Sequence, residues 1–402
     1  MKRNKQIQKN IPEGWKTIKL GDIATIGRGG SPRPIEFYIT DKKDGLNWLR
    51  IGDVDLGAKY IYKTSQKIKK EGLHKTTLVN EGDFILSNSM SYGRPYIMKT
   101  SACIHDGWLA LMEIKTELIG KDFLYYLLSS RKIQNTFISI SAGSGVQNLK
   151  KETVINVLVN LPLVGEQNRI AKVLEIWDEV IEKLGRKIEV KGRIKKGLMR
   201  ELLTGKTRLS GFSGKWETVA FDAVCKINMG QSPSSIAYNE QKNGLPLIQG
   251  NNDIKFRKTI RRIWTTEITK TADIGDIIMT VRAPVGCIGI AIEKVCIGRG
   301  VCAITPLKIN HNYILKFLEH KEPNWKSLEQ GSTFTAVNSL DIKKLQINIP
   351  ISREEQNAIA DILTVADEEI AGLERKLAIL SEQKKFLLNN LITGAIRTPN
   401  NL

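Results

Sequence analysis

Residues 165–187 read GEQNRIAKVLEIWDEVIEKLGRK, and residues 354–376 read EEQNAIADILTVADEEIAGLERK. The chain writes this stretch twice and is organised around it. Gln356 lies 189 positions after Gln167, and the same offset, without a gap, matches Asn168 with Asn357, Ala171 with Ala360, Asp178 with Asp367 and Leu184 with Leu373. It continues through Arg186 and Arg375, Lys196 and Lys385, to Thr204-Gly205 and Thr393-Gly394. These last pairs lie in the matching tails LMRELLTGKTRL (198–209) and LLNNLITGAIRT (387–398). An internal repeat of this kind decides the architecture before any single element does.

Both copies have the periodicity of long helices with a coiled-coil seam. Apolar residues alternate at spacings of four and three: Ile170, Leu174, Trp177, Ile181, Leu184 and Ile188, then Leu198 and Leu202. The second copy runs Ile359, Leu363, Ala366, Ile370, Leu373, Leu377 and Leu380, then Leu387 and Leu391. A repeat near 3.5 residues keeps one stripe facing a partner helix. Gly205 and Gly394 stand where the helices should stop, with Pro399 beyond the second. Both seams are interrupted at equivalent positions, Lys195 and Lys384, and the first again at Lys191. A polar residue in a seam can specify register; a lysine can equally carry its charge out to water along its stem.

Working outward, residues 1–163 read as an α+β globular domain after a basic leader. Short strand-like runs (LNWLRIGDV, DFILSNS, WLALMEI) are separated by glycine- and proline-bearing turns such as GRGGSPRP. KDFLYYLLSSRKIQNTF has helical periodicity, and VINVLVNLPL reads as a strand leading into the first long helix. Residues 209–350 repeat the plan more loosely. Trp15 answers to Trp216, Ser31-Pro32 to Ser232-Pro233, Gly82-Asp83 to Gly275-Asp276, and Gly93 to Gly286. The frame is shared and the residues between differ. The predicted organisation is therefore domain 1 (1–163), a helical spacer (164–208), domain 2 (209–350) and a second spacer (351–402). Domain 2 hangs from the end of helix one and the start of helix two, so helices that pair along their seams must run antiparallel. About 40 residues at 1.5 Å each give a rod of roughly 60 Å, with a globular domain expected at each end.

The charge balance speaks about partners. The 402 residues hold 61 Lys+Arg against 42 Asp+Glu, a formal net charge of +19, which suits nucleic acid or another anionic surface. No apolar run reaches transmembrane length, and the N-terminus has no secretory apolar region. Five cysteines without a CxxC, and four scattered histidines, fit a reducing cytoplasm and no metal. The sequence carries no complete catalytic motif of the familiar kinds. Gly205-Lys206-Thr207 follows Arg200 where a phosphate-binding loop needs glycine, and no NPPY-like or Pro-Asp motif marks a methyltransferase or nuclease.

Loops carrying Arg, Asn, Gln and Ser suit base-edge reading, because Arg matches guanine and Asn or Gln matches adenine. The candidates in domain 1 are Arg28, Arg33, Asn88, Ser91, Tyr92, Arg94, Gln147 and Asn148. Those in domain 2 are Gln231, Gln249, Asn251, Asn252, Lys255, Arg257, Arg261, Arg262, Arg282, Thr333 and Asn338. Trp15 and Trp216, at equivalent positions opening each domain, read as framework rather than as stacking platforms.

Across nearly its whole length the chain resembles the specificity subunit of type I restriction–modification systems. The resemblance rests on PEGWKTIKLGDI at the start, Leu161 to Asn168 and Ile349 to Asn357 at the helix starts, LLTG and LITG at the helix ends, and the two-domain, two-helix order. It implies two target recognition domains, each reading half of a bipartite site on double-stranded DNA, separated by an antiparallel coiled coil. It also implies two methylation subunits docked on the helices, restriction/translocase subunits joining them, and S-adenosylmethionine bound in the methylation subunits with no cofactor in this chain. Catalysis would then lie in the partners. Two other readings are a stand-alone nucleic-acid enzyme with an unrecognised site and a coiled-coil adaptor whose charge only keeps it soluble.

Overall fold

The computed structural model describes residues 11–55, 57–88, 93–142, 148–331 and 336–399. The chain forms two compact units, one of residues 1–183 with 377–402 and the other of residues 184–376. Two long helices cross this division, α1 (Val164–Leu203) and α2 (Arg353–Thr393). Each unit therefore contains the start of one long helix and the end of the other.

Within each unit the two helix segments run antiparallel, since partner numbers rise on one as they fall on the other. In the first unit Glu166 meets Arg397 and Asp178 meets Lys384. In the second Glu355 meets Arg208, Asp367 meets Lys195, and Glu369 meets Lys191. The seam is buried at the helix starts, where Ile170, Leu174, Ile359 and Leu363 are at most 1% exposed. Full burial of such side chains stabilises by roughly 1.5–3 kcal/mol each. Left-handed glycines end both helices, Gly205 at φ 72° and Gly394 at φ 74°, as the Thr-Gly pairs predict.

The interrupting lysines resolve into one device used twice. Lys384 and Lys195 each reach the aspartate at the equivalent place on the facing helix, Asp178 and Asp367. They point across the seam rather than out of it, and they pair in one register only. Lys191 does likewise with Glu369 at 2.8 Å. Each aspartate has a second partner, from its own globular part, and here the copies differ. The Tyr126 hydroxyl donates to Asp178 at 2.7 Å, whereas the Lys316 ammonium donates to Asp367 at 2.5 Å.

Among the described residues, unit 1 has a five-stranded sheet in the order Thr25–Arg28, Trp108–Met112, Phe84–Ser87, Pro95–Met98, Tyr60–Ile61. A four-stranded sheet runs Gln66–Ile68, Leu46–Leu49, Ala102–Ile104, Thr77–Val79. Unit 2 has a six-stranded sheet of the same plan, with Lys258–Thr259 in the place of Tyr60–Ile61 and one further edge strand, Ile254–Lys255, and a five-stranded sheet centred on Leu245–Ile248. A separate two-stranded ribbon ties the opening tryptophan of each domain to the strand before the long helix. Lys16–Lys19 pairs with Leu158–Leu161, and Trp216–Ala220 with Gln346–Pro350. The first unit's main core includes Trp15, Ile23, Phe84, Phe123, Ile170 and Leu174, with Leu391 and Ile392 of α2 completing it.

Three readings of element boundaries need correction. LNWLRIGDV is a strand only to Leu49, because the Asp53 carboxylate accepts the Arg50 amide and turns the chain. KDFLYYLLSSRKIQNTF is two helices, Lys121–Ser129 and Arg131–Ala142, broken where the Ser130 hydroxyl donates to the Leu127 carbonyl. In VINVLVNLPL the first residues close a short helix, Lys151–Ile155, and the strand begins at Leu158.

Candidate nucleic-acid interface

Each unit builds the same cluster of three loops. Strand Leu46–Leu49 lies parallel to Ala102–Ile104 with Trp48 opposite Cys103, and Leu245–Ile248 lies parallel to Val295–Ile297 with Leu247 opposite Cys296. Beyond each strand an aspartate closes a tight turn. Asp53 Oδ2 accepts the Arg50 amide at 2.9 Å, and Asp253 Oδ2 accepts the Gln249 amide at 2.8 Å. The strand registers, Leu49 opposite Ile104 and Ile248 opposite Ile297, make Arg50 and Gln249 equivalent as the first residue past each strand, although the turn in unit 2 is one residue longer and Asp253 Oδ2 also accepts the Gly250 amide at 3.2 Å. The second loop carries Ser31 or Ser232, and the third follows Ile104 or Ile297. Ser31 Oγ donates to Asp106 Oδ1 at 3.0 Å, and Ser232 Oγ accepts the Arg299 amide at 3.1 Å.

Glycine lets these loops touch. A Cβ on Gly29 would overlap the His105 carbonyl oxygen, and one on Gly230 the Gly298 carbonyl oxygen. Neither neighbour is a side chain that could swing aside. Gly29→Ala is expected to destabilise unit 1 by about 1–3 kcal/mol, as overpacking does. The measurement is amide hydrogen exchange resolved by segment, with unit 2 unaffected.

In unit 1 the loops enclose a cleft of about 820 Å³ lined by Ser31, Arg33, Trp48, Arg50, Gln66 and His105 among others. Arg50 projects into it with its guanidinium braced from behind. Nη2 donates to Ser65 Oγ at 2.8 Å and lies 3.5 Å from Asp53 Oδ1, and Ser65 Oγ donates to the same carboxylate oxygen at 2.6 Å. Burial pushes the Asp53 carboxyl up, but the hydrogen bonds from Ser65 and Arg50 and the guanidinium charge outweigh it. The group is held below its ordinary value and stays ionised. In unit 2 Asp253 braces a different arginine, Arg262, with Nη1 at 3.1 Å.

The structure sorts the candidates picked from sequence. Ser91, Tyr92, Gln147 and Thr333, with the basic leader, lie outside the described residues. Arg33 is exposed on the second loop of unit 1, and Arg28 is exposed at the end of the strand that leads into it. Gln231, Gln249, Asn251 and Asn252 come together around the equivalent loops of unit 2, with the Gln249 and Ser232 side chains both against Gly298. Arg94 and Asn148 are half-buried, and Arg282 is exposed beside Ala336. Asn88 is 2% exposed and holds the framework, its Nδ2 donating to the Asp106 carbonyl at 2.6 Å and its amide to the Gly107 carbonyl at 2.9 Å. Asn338 caps the short helix Ser339–Lys343, accepting the Leu340 and Asp341 amides.

The basic run Lys255 to Arg262 is less available than its charge suggests. Arg257 pairs with Glu322 at 2.7 Å, Arg261 with Glu293 at 2.5 Å, and Arg262 with Asp253. Lys255 remains exposed beside Phe256, which is 97% exposed at the hairpin tip. Trp15 and Trp216 are framework as predicted, each faced by an arginine from the tail of a long helix. Arg397 lies over Trp15 at 5.9 Å and Arg208 over Trp216 at 5.6 Å. Arg50, Trp48, Gln66, His105 and Arg299 were not among the candidates. The signal that finds Arg50 is an aspartate shortly after each strand end, Asp53 after Leu49 and Asp253 after Ile248, which marks the turn on which Arg50 and Gln249 lie.

Among the described residues, no helix is long and apolar enough to cross a membrane. The chain matches the type I restriction modification DNA specificity domain twice, over residues 12–192 and 213–381. It is 31% identical to a Methanocaldococcus jannaschii chain named type I restriction enzyme MjaX specificity subunit, covering 96% of this chain and 95% of that one. The MjaVIII specificity subunit of the same organism is 24% identical, with 97% and 95% covered. A solved structure from work on complex assembly and conformational transition of the type I R-M system shares the fold, with a TM-score of 0.67 at 24% identity, covering 96% of this chain and 99% of that one. With two copies of the specificity domain, one in each half, and a relative of this identity along its whole length, the chain belongs to the DNA specificity subunits of type I restriction–modification systems.

Proposed function

We propose that the two globular domains, residues 1–163 and 209–350, each read one half of a bipartite target on double-stranded DNA. The observation that carries this reading is the repeated three-loop cluster. Its framework contacts recur in both units, while the side chains it presents differ, Arg50 standing where the other copy has Gln249. A constant frame with variable projecting residues is what two readers of different sequences require. The long helices, with exposed faces away from the seam, are the proposed seat of two methylation subunits, and restriction/translocase subunits join that core in the cytoplasm. Methyl transfer from S-adenosylmethionine and DNA cleavage belong to those partners. This chain contributes recognition and scaffolding without a catalytic step of its own.

The formal charge of +19 adds a sequence-independent attraction for phosphate. Affinity of the assembled complex is expected to fall linearly on a log–log plot against salt, with a slope near −0.9 per phosphate neutralised. The decisive measurement maps modified sites genome-wide with and without the gene. The expected result is an asymmetric bipartite motif that disappears with the gene. A motif that persists, or modification without two separated blocks, would sink the reading. A DNA-binding adaptor outside any restriction system would instead bind cognate and random duplexes alike.

A further inference from the structure

The two loop clusters differ at one position in a way that has a chemical meaning. Arg50 and Gln249 leave equivalent strands, and each has its amide held by an aspartate carboxylate, so the direction in which the side chain departs is fixed by the backbone. Beyond that shared clamp the groups diverge. Arg50 is braced on one side only. Nη2 is engaged by Ser65 and Asp53, while Nε and Nη1 have no partner among the described residues, although the side chain lines a cleft rather than open surface. A guanidinium held by one edge keeps its plane and offers its remaining N–H groups in a fixed fork.

We propose that Arg50 is a specificity-determining residue of the first domain and that it reads a guanine. Guanine presents two acceptors, N7 and O6, in the major groove, and a two-donor fork matches both. Adenine places a donor, N6–H₂, where the second acceptor would be, so the same fork meets one acceptor and one donor. The brace matters because a free arginine would lose conformational entropy on binding, whereas a pre-held one does not. At the equivalent position Gln249 carries one acceptor and one donor, the complement of adenine. It also lies 3.5 Å from the Tyr238 hydroxyl, which limits its rotation. The position is thus a base-reading site in both copies, with opposite preference written into it.

This inference rests on the reading of unit 1 as a DNA-recognition domain, and its test separates the two. The full chain, assembled with its methylation subunits, is compared as wild type, R50Q and R50K by mapping modified sites. Competition binding with duplexes that differ at one base pair of the first half-site is measured alongside. In the wild type one guanine position of that half-site is expected to be invariant. R50Q is expected to lose the demand for guanine there and weaken binding of the original site by roughly 5- to 150-fold. The other half-site and the gap should stay unchanged. R50K keeps the charge and can still donate to the guanine acceptors but without the planar fork, so it should keep a weakened preference for guanine at that one position. If R50Q still demands guanine at every position the wild type does, the inference is overturned. It is equally overturned if binding weakens by the same factor on every sequence, which is the signature of a phosphate contact. Should R50Q abolish modification, competition binding by R50K still reports the base preference. Failure of the wild type to show any bipartite motif would overturn the proposed function itself, and with it this inference.

Discussion

Replacing Gln167 by alanine is expected to destabilise unit 1 by roughly 3–6 kcal/mol, since each buried polar group left without a partner costs about 1–3 kcal/mol. Gln167 is 0% exposed, and its side-chain amide is hydrogen-bonded to three backbone groups. Oε1 accepts the Gly120 amide at 3.0 Å, at the start of the helix Lys121–Ser129. Nε2 donates to the Leu118 and Pro162 carbonyls, both at 2.9 Å. One side chain thus fastens the first turn of a long helix to the turn before its neighbouring helix and to the strand end that precedes it. Amide hydrogen exchange of the full chain should show protection lost across unit 1 and retained in unit 2. Gln356 does the same work in unit 2 with the Asn310 amide and the Pro350 carbonyl, so Gln356→Ala should give the mirror-image result. Equal loss in both units from either variant would show that the glutamines do not act locally.

The second large effect is an asymmetry between two residues that the repeat makes equivalent. Asp367→Asn is expected to cost about 1–3 kcal/mol, less than removing one partner of a fully buried pair because the Asp367 side chain is 32% exposed while Lys316 is not. It leaves Lys316, with a side chain 7% exposed, and Lys195 sharing only Glu319, at 3.5 and 3.6 Å. Asp178→Asn should cost less, because there the second partner is a neutral hydroxyl. Burial first, and then the bond to Asp178, push the Tyr126 phenol well above its ordinary range, so it remains a donor and can serve an amide oxygen as readily. The pH dependence follows in sign. Burial raises the Asp367 carboxyl, but the hydrogen bonds and charges of Lys195 and Lys316 outweigh it, so the folded group is held below its ordinary value. A depressed carboxylate stabilises the fold fully above its unfolded value and loses that contribution as pH falls through the folded one. Unit 2 of the wild type should therefore lose stability below about pH 4, where carboxylates of ordinary pKa begin to protonate. The Asp367→Asn variant should lack that part of the profile. Urea titrations at pH 3 to 7 with segment-resolved exchange would measure both.

The helices and their pairing were legible because the repeat is gapless. Thr204-Gly205 and Thr393-Gly394 announce their ends, and the order of attachment leaves only an antiparallel arrangement. The significance of Lys195 and Lys384 was not legible, because their partners lie on the other copy and the further contact on each aspartate comes from a different residue at the equivalent place of matching helices, Tyr126 in one and Lys316 in the other. The candidate site was half legible. Residue type and loop position found Gln249, Asn251 and Arg33, but the same criteria admitted Asn88 and Asn338, whose amides serve the backbone. The arginines of KFRKTIRR looked like free charge because Glu293, Glu319 and Glu322 approach them only through folding. Arg50 was hidden in an apolar run read as strand to its end. Only the Asp53 turn, which ends the strand one residue earlier, frees its side chain to project.

Unit 1 is assembled from the two extremes of the chain, and Leu391, Ile392 and Arg397 belong to its core and its Glu166 pair. On the ribosome, where domains generally fold as they emerge, this reverses the usual order. Residues 11–183 cannot complete their packing until residues 377–399 have been translated, whereas residues 184–376 can close among themselves beforehand. A nascent chain interrupted near residue 376 would carry a finished second reader and an unfinished first one. A damaged message would thus tend to leave no product in which the first reader alone is intact.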